Sequence, residues 1–310
     1  MEHIQDRFNG LGTTIDGSLV IDRQVGEALW REIRQRVADF EDRFSRFRPT
    51  SELSQLNARA GEAVRVSPEM LSLLRQARTI WDQTGGIVDP LIGNDLVAAG
   101  YHRSFDQLQQ SPAPKNRPAR VDLVFGNVEI SDDGLVTLPA QTMLDLGGIG
   151  KGYLADQLAA FISEHTKDFW ISLGGDIFVS GRMPDGKPWP IAIQDQQHLD
   201  RDALVVQLPY ASYGIATSST QARRGTANGK TWHHLIDPRT NEPAVTNLLG
   251  ATVIAPTTLQ ADVAAKTVVI RGQESGHPWL KEQDRHLGIL FPTSGQPIID
   301  PTLTPYIDIV

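Results

Sequence analysis

Cysteine is absent from this 310-residue chain. The protein can therefore form no disulfide, thiol nucleophile or cysteine-ligated metal centre, although this absence does not fix its compartment. Familiar hydrolase patterns are missing too: the sequence contains neither G-x-S-x-G nor H-E-x-x-H, and no two of its eight histidines are spaced four residues apart. The sequence therefore shows neither the nucleophile elbow of α/β-hydrolases nor the zinc-binding pattern of metalloproteases.

Long apolar runs are also lacking. No stretch approaches the length of a transmembrane helix, and the opening residues MEHIQDRFNG have neither the basic nor the apolar region of a secretory signal. The net charge of −8 argues against a broad nucleic-acid footprint or an anionic membrane surface. We expect a cytoplasmic protein without nucleic-acid partners or membrane insertion, or a periplasmic one if a leader was removed.

Four helices are predicted. Apolar residues at three- and four-residue steps predict the first over 25–47, where its end is followed by a further N-cap candidate at Ser51, and Ser67 is suited to begin the second. A further helix is predicted after DLGGIGKG, and another near Thr257.

Strand-like alternation clusters after residue 120, with few helices between the strands. This arrangement predicts an α+β fold rather than regular βαβ units. The length suggests one domain over 1–310, or two intimately packed lobes. The Pro-rich, basic stretch 109–122 is predicted to be an exposed loop.

The segment DLGGIGKGYLAD, at 145–156, joins a predicted strand end at 143–146 to a predicted helix. Glycines such as Gly147 let the backbone approach a ligand, and Lys151 adds charge near a helix N-terminus, which favours anions. It is not a Walker A loop, because Gly152 follows the lysine. A tight turn without a ligand is the alternative interpretation.

A second glycine pair, Gly174 and Gly175, follows a predicted strand and precedes Asp176. Two such turns in one chain favour a cradle for a phosphorylated ligand over two simple hairpins. The hydroxyl-rich segment 214–224, with Ser218, offers further phosphate contacts, although its residues alone favour a polar loop.

The segment TWHHLIDPRT contains adjacent histidines, His233 and His234, shortly before Asp237. Neighbouring side chains of a strand point to opposite faces, so the two histidines form a poor metal site. One histidine with a nearby aspartate suits general acid–base chemistry. A strand ending in an Asp-Pro turn is the alternative.

Asp262 and Lys266 are one helical turn apart in the apolar segment LQADVAAKTVVIRG. Residues four apart share a helix face, so the pair is either an ordinary surface ion pair or part of a site.

Taken in order, these segments resemble the ApbE family of FAD:protein FMN transferases. The resemblance covers nearly the whole chain, from GLGTT (10–14) through FSRFRPTSELSQLN, GGIVDPL, DLGGIGKGYLAD, SLGGDI, ATSS and HHLIDPRTNEP to ADVAAKTVVIRG (261–272). It implies an ApbE-like, T-fold-related architecture of mixed, mainly antiparallel sheets with flanking helices. It also implies FAD as the FMN donor, Mg²⁺, and an acceptor flavoprotein whose Thr or Ser receives FMN through a phosphoester as AMP leaves. FAD pyrophosphatase activity, or flavin binding without transfer, are the alternatives.

The resemblance also implies roles for individual residues. His234 is the candidate proton acceptor, while the carboxylate of Asp262 and the carbonyl of Gly150 are the candidate metal ligands. The expected FAD contacts, together with the phosphate-cradle residues identified above, are Leu11 (in place of the family's usual Met), Gly12, Thr13, Ile87, Val88, Asp89, Gly147, Lys151, Tyr153, Gly174, Gly175, Asp176, Ser218, His234, Leu235, Asp237 and Lys266.

Three positions depart from the family pattern. Asn241 replaces a usual glycine, a mild change because Asn tolerates a left-handed backbone, and Ser219 replaces another. Lys266 stands where the family has a metal-binding Thr, and Thr267, one residue later, lies about 140° from Asp262 around a helix. Either Mg²⁺ still binds through Asp262, or Lys266 supplies part of its charge.

Overall fold

The structure is a computed structural model that describes residues 2–103, 123–209, 211–227 and 230–309. The loop predicted at 109–122 lies outside the described residues. The described helices are α1 (Arg23–Phe44), α2 (Glu52–Ala58), α3 (Pro68–Gln83), α4 (Gly93–Ala99), α5 (Gly150–Ser163), α6 (Thr258–Arg271) and α7 (Gln273–Lys281).

The described strands fall into two groups along the chain. Up to the middle of the chain they are β1 (Glu2–Gly10), β2 (Thr13–Ile21), β3 (Ala63–Arg65), β4 (Glu129–Ile130), β5 (Leu135–Thr137), β6 (Phe169–Leu173) and β7 (Asp176–Ser180). After it they are β8 (Ile191–Gln194), β9 (Asp202–Val206), β10 (Ser212–Ser219), β11 (Arg224–Ala227), β12 (Lys230–His233), β13 (Ile236–Asp237), β14 (Glu242–Pro243), β15 (Leu248–Ala255), β16 (Leu287–Pro292), β17 (Ile298–Ile299) and β18 (Ile307–Ile309).

Two compact units divide the chain. The first comprises Met1–Ala38, Lys151–Ala222 and Thr246–Val310, and the second comprises Asp39–Gly150 and Arg223–Val245.

An eight-stranded sheet forms the centre of the first unit. Its order is β1-β2-β6-β7-β10-β15-β16-β17, and neighbouring strands are antiparallel throughout. A three-stranded sheet, β18-β9-β8, belongs to the same unit. The α+β class with mainly antiparallel sheets, predicted from the sequence, is confirmed.

Alternation along β10 shows how the layers of the first unit pack. Ile215 belongs to an apolar cluster with Ile193 and Val206 of the three-stranded sheet. The next residue, Ala216, packs on Ala261 of α6, because successive strand residues face opposite sides. The large sheet is therefore covered by the small sheet on one face and by α6 on the other.

The second unit has smaller sheets, β3-β5-β4 and the hairpins β11–β12 and β13–β14, with α2, α3 and α4. The predicted helix starts are confirmed: the hydroxyls of Ser51 and Ser67 accept hydrogen bonds from Ser54 N (3.0 Å) and Met70 N (3.1 Å). These are N-cap bonds that satisfy otherwise unpaired donors of the first turn.

Three local predictions are wrong in detail. The first helix ends at Phe44 rather than 47, and Arg48 precedes Pro49, which disfavours helical backbone. The predicted strand at 143–146 is reduced to one bridge between Met143 and Ile92, because the side chain of Asn57 occupies both backbone groups of Leu144.

The polar loop favoured at 214–224 is wrong over its first half, where Ser212–Ser219 forms β10. The Thr217 hydroxyl is paired inside the sheet with that of Thr252 at 2.8 Å, and the Ser219 hydroxyl donates to Leu249 O at 3.3 Å. Among the described helices, none is long and apolar enough to cross a membrane.

Candidate functional site

Two turns at one end of the large sheet lie side by side. The β1–β2 turn has Leu11 and Gly12 at φ 55° and 64°, which is the two-residue turn suited to twisted hairpins. In the β6–β7 turn, Gly174 N donates to Thr14 O at 2.9 Å, and a Cβ on Gly174 would collide with the Thr13 side chain. The structure thus brings together two predicted segments that are 160 residues apart in sequence.

Backbone strain marks the tip of the first turn. A leucine with positive φ is unfavourable, because its Cβ crowds the following carbonyl. Leu11 holds this conformation between two strands in full register. Such strain is common at ligand-binding positions, so Leu11 remains a candidate for the flavin contact predicted there.

Ser218 lies at the same end of the sheet. The register that pairs Ile215 with Ile177 runs β10 past the β6–β7 turn, so that the last residues of β10 reach this end. Ser218 is buried.

A charged pair stands beside the second turn. Lys151, in the first turn of α5, forms an ion pair with Asp176, whose side chain is only 2% exposed. Two predicted cofactor-binding residues thus contact each other directly. The pair places a cation at a glycine turn, which suits an anionic ligand. Tyr153, on the next part of α5, is half-buried.

A second buried pair lies on α6. Lys266 Nζ contacts Asp262 Oδ1, with side chains 12% and 2% exposed. The other carboxylate oxygen, Asp262 Oδ2, is buried and accepts no hydrogen bond from the described residues. Thr267 is fully buried, and its hydroxyl donates to Val263 O at 2.8 Å on its own helix.

Asp156 positions the start of α6 and was not identified from the sequence. Its two carboxylate oxygens accept from Thr258 N (2.7 Å) and Leu259 N (3.0 Å). Gly152 lets α5 approach, since a Cβ there would lie 2.8 Å from Leu259 Cα. Burial raises the pKa of Asp156, against the lowering effect of these backbone bonds. The glycine-rich helix therefore fixes the helix that carries Asp262.

In the second unit, His234 directly follows β12. Its backbone N donates to Arg223 O at 3.2 Å, and its Nδ1 lies 3.4 Å from the same oxygen. Leu235, next to it, is buried. The neighbouring His233 contacts Ala244 O through Nε2 at 3.1 Å, and burial lowers its pKa.

Asp237 braces the turn that follows. Its carboxylate binds Arg239 through Nε (2.8 Å) and the terminal NH₂ (2.8 Å), and its carbonyl accepts from Asn241 N at 2.8 Å. Asn241 has φ 57°, so the expectation that asparagine tolerates the left-handed backbone here is confirmed.

Asp89 is held by internal donors. Its oxygens accept from Leu91 N (2.7 Å), Phe125 N (3.0 Å) and Trp81 Nε1 (3.1 Å). Desolvation raises its pKa, partly offset by these bonds. The carboxylate therefore fixes the turn that contains the buried residues Ile87 and Val88.

Gly147 is held through a buried ion pair that sequence reasoning missed. Gly147 N donates to Asp145 Oδ1 at 2.7 Å, while Asp145 Oδ2 pairs with Arg46. Arg46 also donates to Tyr101 O at 2.6 Å and stacks on Phe47. Nothing local in sequence joins residues 99 positions apart, so only a long-range contact could reveal this pair. Gly150 N closes the turn on Leu146 O at 2.7 Å.

Comparison with known proteins places these features in a family. A profile of the ApbE family matches residues 11–291. The chain belongs to the ApbE family. It is 30% identical to a Treponema pallidum protein named FAD:protein FMN transferase, over 76% of this chain and 69% of that one. A Haemophilus influenzae protein of the same name is 26% identical, over 84% and 76%.

Solved ApbE structures share the fold. The ApbE protein of Thermotoga maritima superposes with a TM-score of 0.87 at 22% identity, covering 98% of this chain and 99% of that one. The flavin transferase ApbE of Vibrio cholerae gives a TM-score of 0.80 at 22% identity, over 98% and 100%.

The ApbE resemblance implies Mg²⁺, and the described residues fit such a site poorly. They contain no group of three or more His, Asp or Glu side chains that could hold a metal. Asp262 offers one uncommitted oxygen, but its other oxygen is bound to the Lys266 ammonium, which has no lone pair to give a metal. Thr267 is fully buried and lies about 140° around the helix from Asp262, so it does not share a site with that carboxylate.

Proposed function

We propose that this ApbE protein is an FAD:protein FMN transferase. The observation that carries the proposal is the family match over residues 11–291, together with relatives that bear this name. The adjacent glycine turns of the first unit support it, because they combine exposed backbone with the cation of Lys151, as a phosphorylated ligand requires.

In the proposed reaction, the Thr or Ser hydroxyl of an acceptor flavoprotein attacks the FMN-side phosphorus of FAD. A new P–O bond forms, the bond from that phosphorus to the AMP oxygen breaks, and AMP leaves with the electron pair. The hydroxyl proton passes to a base. Such phosphoryl chemistry needs mainly positioning and charge stabilisation from the protein.

His234 is the proposed base. With a proton on Nδ1, directed to Arg223 O at 3.4 Å, the basic nitrogen of the imidazole is Nε2. Replacing a general base typically slows a reaction about 10²–10⁴-fold. We therefore expect His234→Ala to retain FAD binding and to lose transfer by a factor in that range.

Whether the reaction uses Mg²⁺ is a separate prediction from the transferase activity. The uncommitted Asp262 Oδ2 supports one metal contact, whereas the Lys266 ion pair opposes a standard site. The cytoplasmic location and the acceptor's Thr or Ser likewise stay predictions.

Incubation with FAD tests the function. Purified protein, FAD and a candidate acceptor should give AMP and a covalently flavinylated acceptor, visible by in-gel flavin fluorescence. An acceptor with its Thr or Ser replaced by Ala is the matched control. AMP with free FMN and no labelled acceptor would indicate a pyrophosphatase instead, and intact bound FAD would indicate a binding protein.

A further inference from the structure

The ion pair between Lys266 and Asp262 is buried within α6. The surrounding helix is apolar on nearly every side: Val263, Ala265 and Val269 are all buried. Removing two charges from water usually costs more than their attraction returns, so such a pair is weak support for stability. Its presence therefore points to a role other than holding the helix in place.

Only one of the two carboxylate oxygens of Asp262 takes part in this pair. Its Oδ1 binds the ammonium, while Oδ2 is buried without a hydrogen-bond partner among the described residues. A buried, unpartnered carboxylate oxygen is unfavourable unless a ligand supplies the missing contact. The pair thus has the composition of a binding site: a fixed cation and an unsatisfied acceptor.

The ammonium of Lys266 also has donors beyond the one that contacts Asp262. An ammonium has three donors, and the contact recorded for it in the described structure is the one with Asp262. Lysine ammonium groups bind phosphate oxygens as point charges. A second lysine–carboxylate pair, Lys151–Asp176, lies in the same unit. Diphosphate esters are the ligand class whose charge matches such lysines.

We infer that Lys266 supplies a fixed cation for the FAD diphosphate, so that FAD binding needs no divalent ion at Asp262. The ammonium, oriented by Asp262, donates to a diphosphate oxygen and occupies the place where a metal would sit. This inference rests on the proposed function for the identity of the ligand. In this arrangement the Lys266 ammonium supplies the positive charge that a divalent ion would otherwise supply.

Divalent-ion binding to the ligand-free protein tests the inference without any reaction. Mn²⁺ titration, followed by electron paramagnetic resonance, should show no tight site in the wild type. Lys266→Thr frees both oxygens of Asp262 and adds a hydroxyl one turn away, so it should bind Mn²⁺ at least about tenfold tighter than wild type. Adding Asp262→Asn should abolish the gain. Lys187→Thr, at a 72% exposed lysine, is the matched control and should behave as wild type.

FAD binding in EDTA is the second test. Flavin fluorescence should give the wild type the same affinity with EDTA as with Mg²⁺. Lys266→Thr should lose at least about tenfold in EDTA and regain affinity with Mg²⁺, whereas riboflavin, which lacks phosphate, should bind both proteins equally. Lys266→Met should lose FAD affinity in EDTA without gaining Mn²⁺, provided its circular dichroism matches wild type.

The outcomes separate the inference from the proposed function. Equal Mn²⁺ affinity in wild type and Lys266→Thr, abolished in both by Asp262→Asn, would overturn the inference. So would unchanged FAD affinity of Lys266→Met in EDTA. Absence of acceptor labelling, with FAD binding as expected, would refute only the transferase proposal. Absence of FAD binding would refute the proposed function. The Mn²⁺ titration would still show whether Lys266 prevents a divalent ion from binding at Asp262.

Discussion

Asp156 should contribute more to stability than an ordinary helix cap. Asp156→Ala leaves the N–H groups of two buried residues, Thr258 and Leu259, without their acceptors. Each buried, unsatisfied donor costs about 1–3 kcal/mol. Relief from burying the carboxylate, whose pKa is raised by desolvation, offsets part of that loss. We expect a net destabilisation of about 2–4 kcal/mol.

Two variants calibrate this value. Asp156→Asn keeps one acceptor oxygen and no charge, so it should cost about half as much. Thr257→Ala removes the cap of the same helix, whose hydroxyl accepts from Gln260 N at 3.2 Å, and should cost about 1 kcal/mol. Urea unfolding followed by circular dichroism gives each free energy. A loss in Asp156→Ala no greater than in Thr257→Ala would refute the reasoning.

The pH dependence provides a further check. A carboxyl with a raised pKa binds more protons folded than unfolded, so its contribution to stability is present below its ordinary value of 3.8 and falls as pH rises through the raised value. The destabilisation by Asp156→Ala should therefore shrink as pH increases through this window. A destabilisation that grows with pH would contradict the raised pKa.

Three other variants test separate features. Gly174→Ala should cost about 2–5 kcal/mol in urea unfolding, from left-handed strain and collision with Thr13, whereas Gly186→Ala, at φ 80° with nothing within 4 Å of its Cβ, should show the strain alone. Leu11→Asn should raise the free energy of unfolding by about 1 kcal/mol, because Asn tolerates positive φ. The same variant should weaken FAD binding if Leu11 contacts the flavin. Burial lowers the pKa of His233, so the unfolded state binds more protons than the folded state and the free energy of unfolding falls as pH drops below 6.5. His233→Gln should flatten this pH dependence. An unchanged pH dependence would exclude His233 as its source.

Local patterns predicted much of the secondary structure. The N-caps at Ser51, Ser67 and Thr257 were predictable because a short polar side chain before an apolar period has a local physical function. Strand β1 was not predicted, since its alternating burial involves mostly polar residues at a sheet edge. Polar residues give no period that distinguishes an edge strand from a loop.

The candidate site was less accessible to sequence reasoning. Its segments could be named by resemblance, but their mutual bracing depends on contacts far apart in sequence: Asp156 with Thr258, and Arg46 with Asp145. No spacing rule connects such residues, because the fold and not the helix period brings them together. The packing of the glycine turn against Thr13 is likewise a property of sheet order.

The burial of α6 explains why residue 266 determines which cation offsets the charge of Asp262. A carboxylate as buried as Asp262 cannot remain unpaired, because an isolated charge in an apolar helix environment is strongly unfavourable. Asp89 is satisfied by N–H donors, but Asp262 Oδ2 accepts no such bond from the described residues, so the charge of Asp262 is offset by a cation, either from solvent or carried by the chain. Lys266, one helical turn away, provides the second solution, because its ammonium contacts Asp262 Oδ1. On the inference drawn above, Lys266→Thr, which adds an oxygen ligand beside Asp262, should make FAD binding depend on a divalent ion, whereas Lys266→Met, which adds no oxygen, should only weaken it.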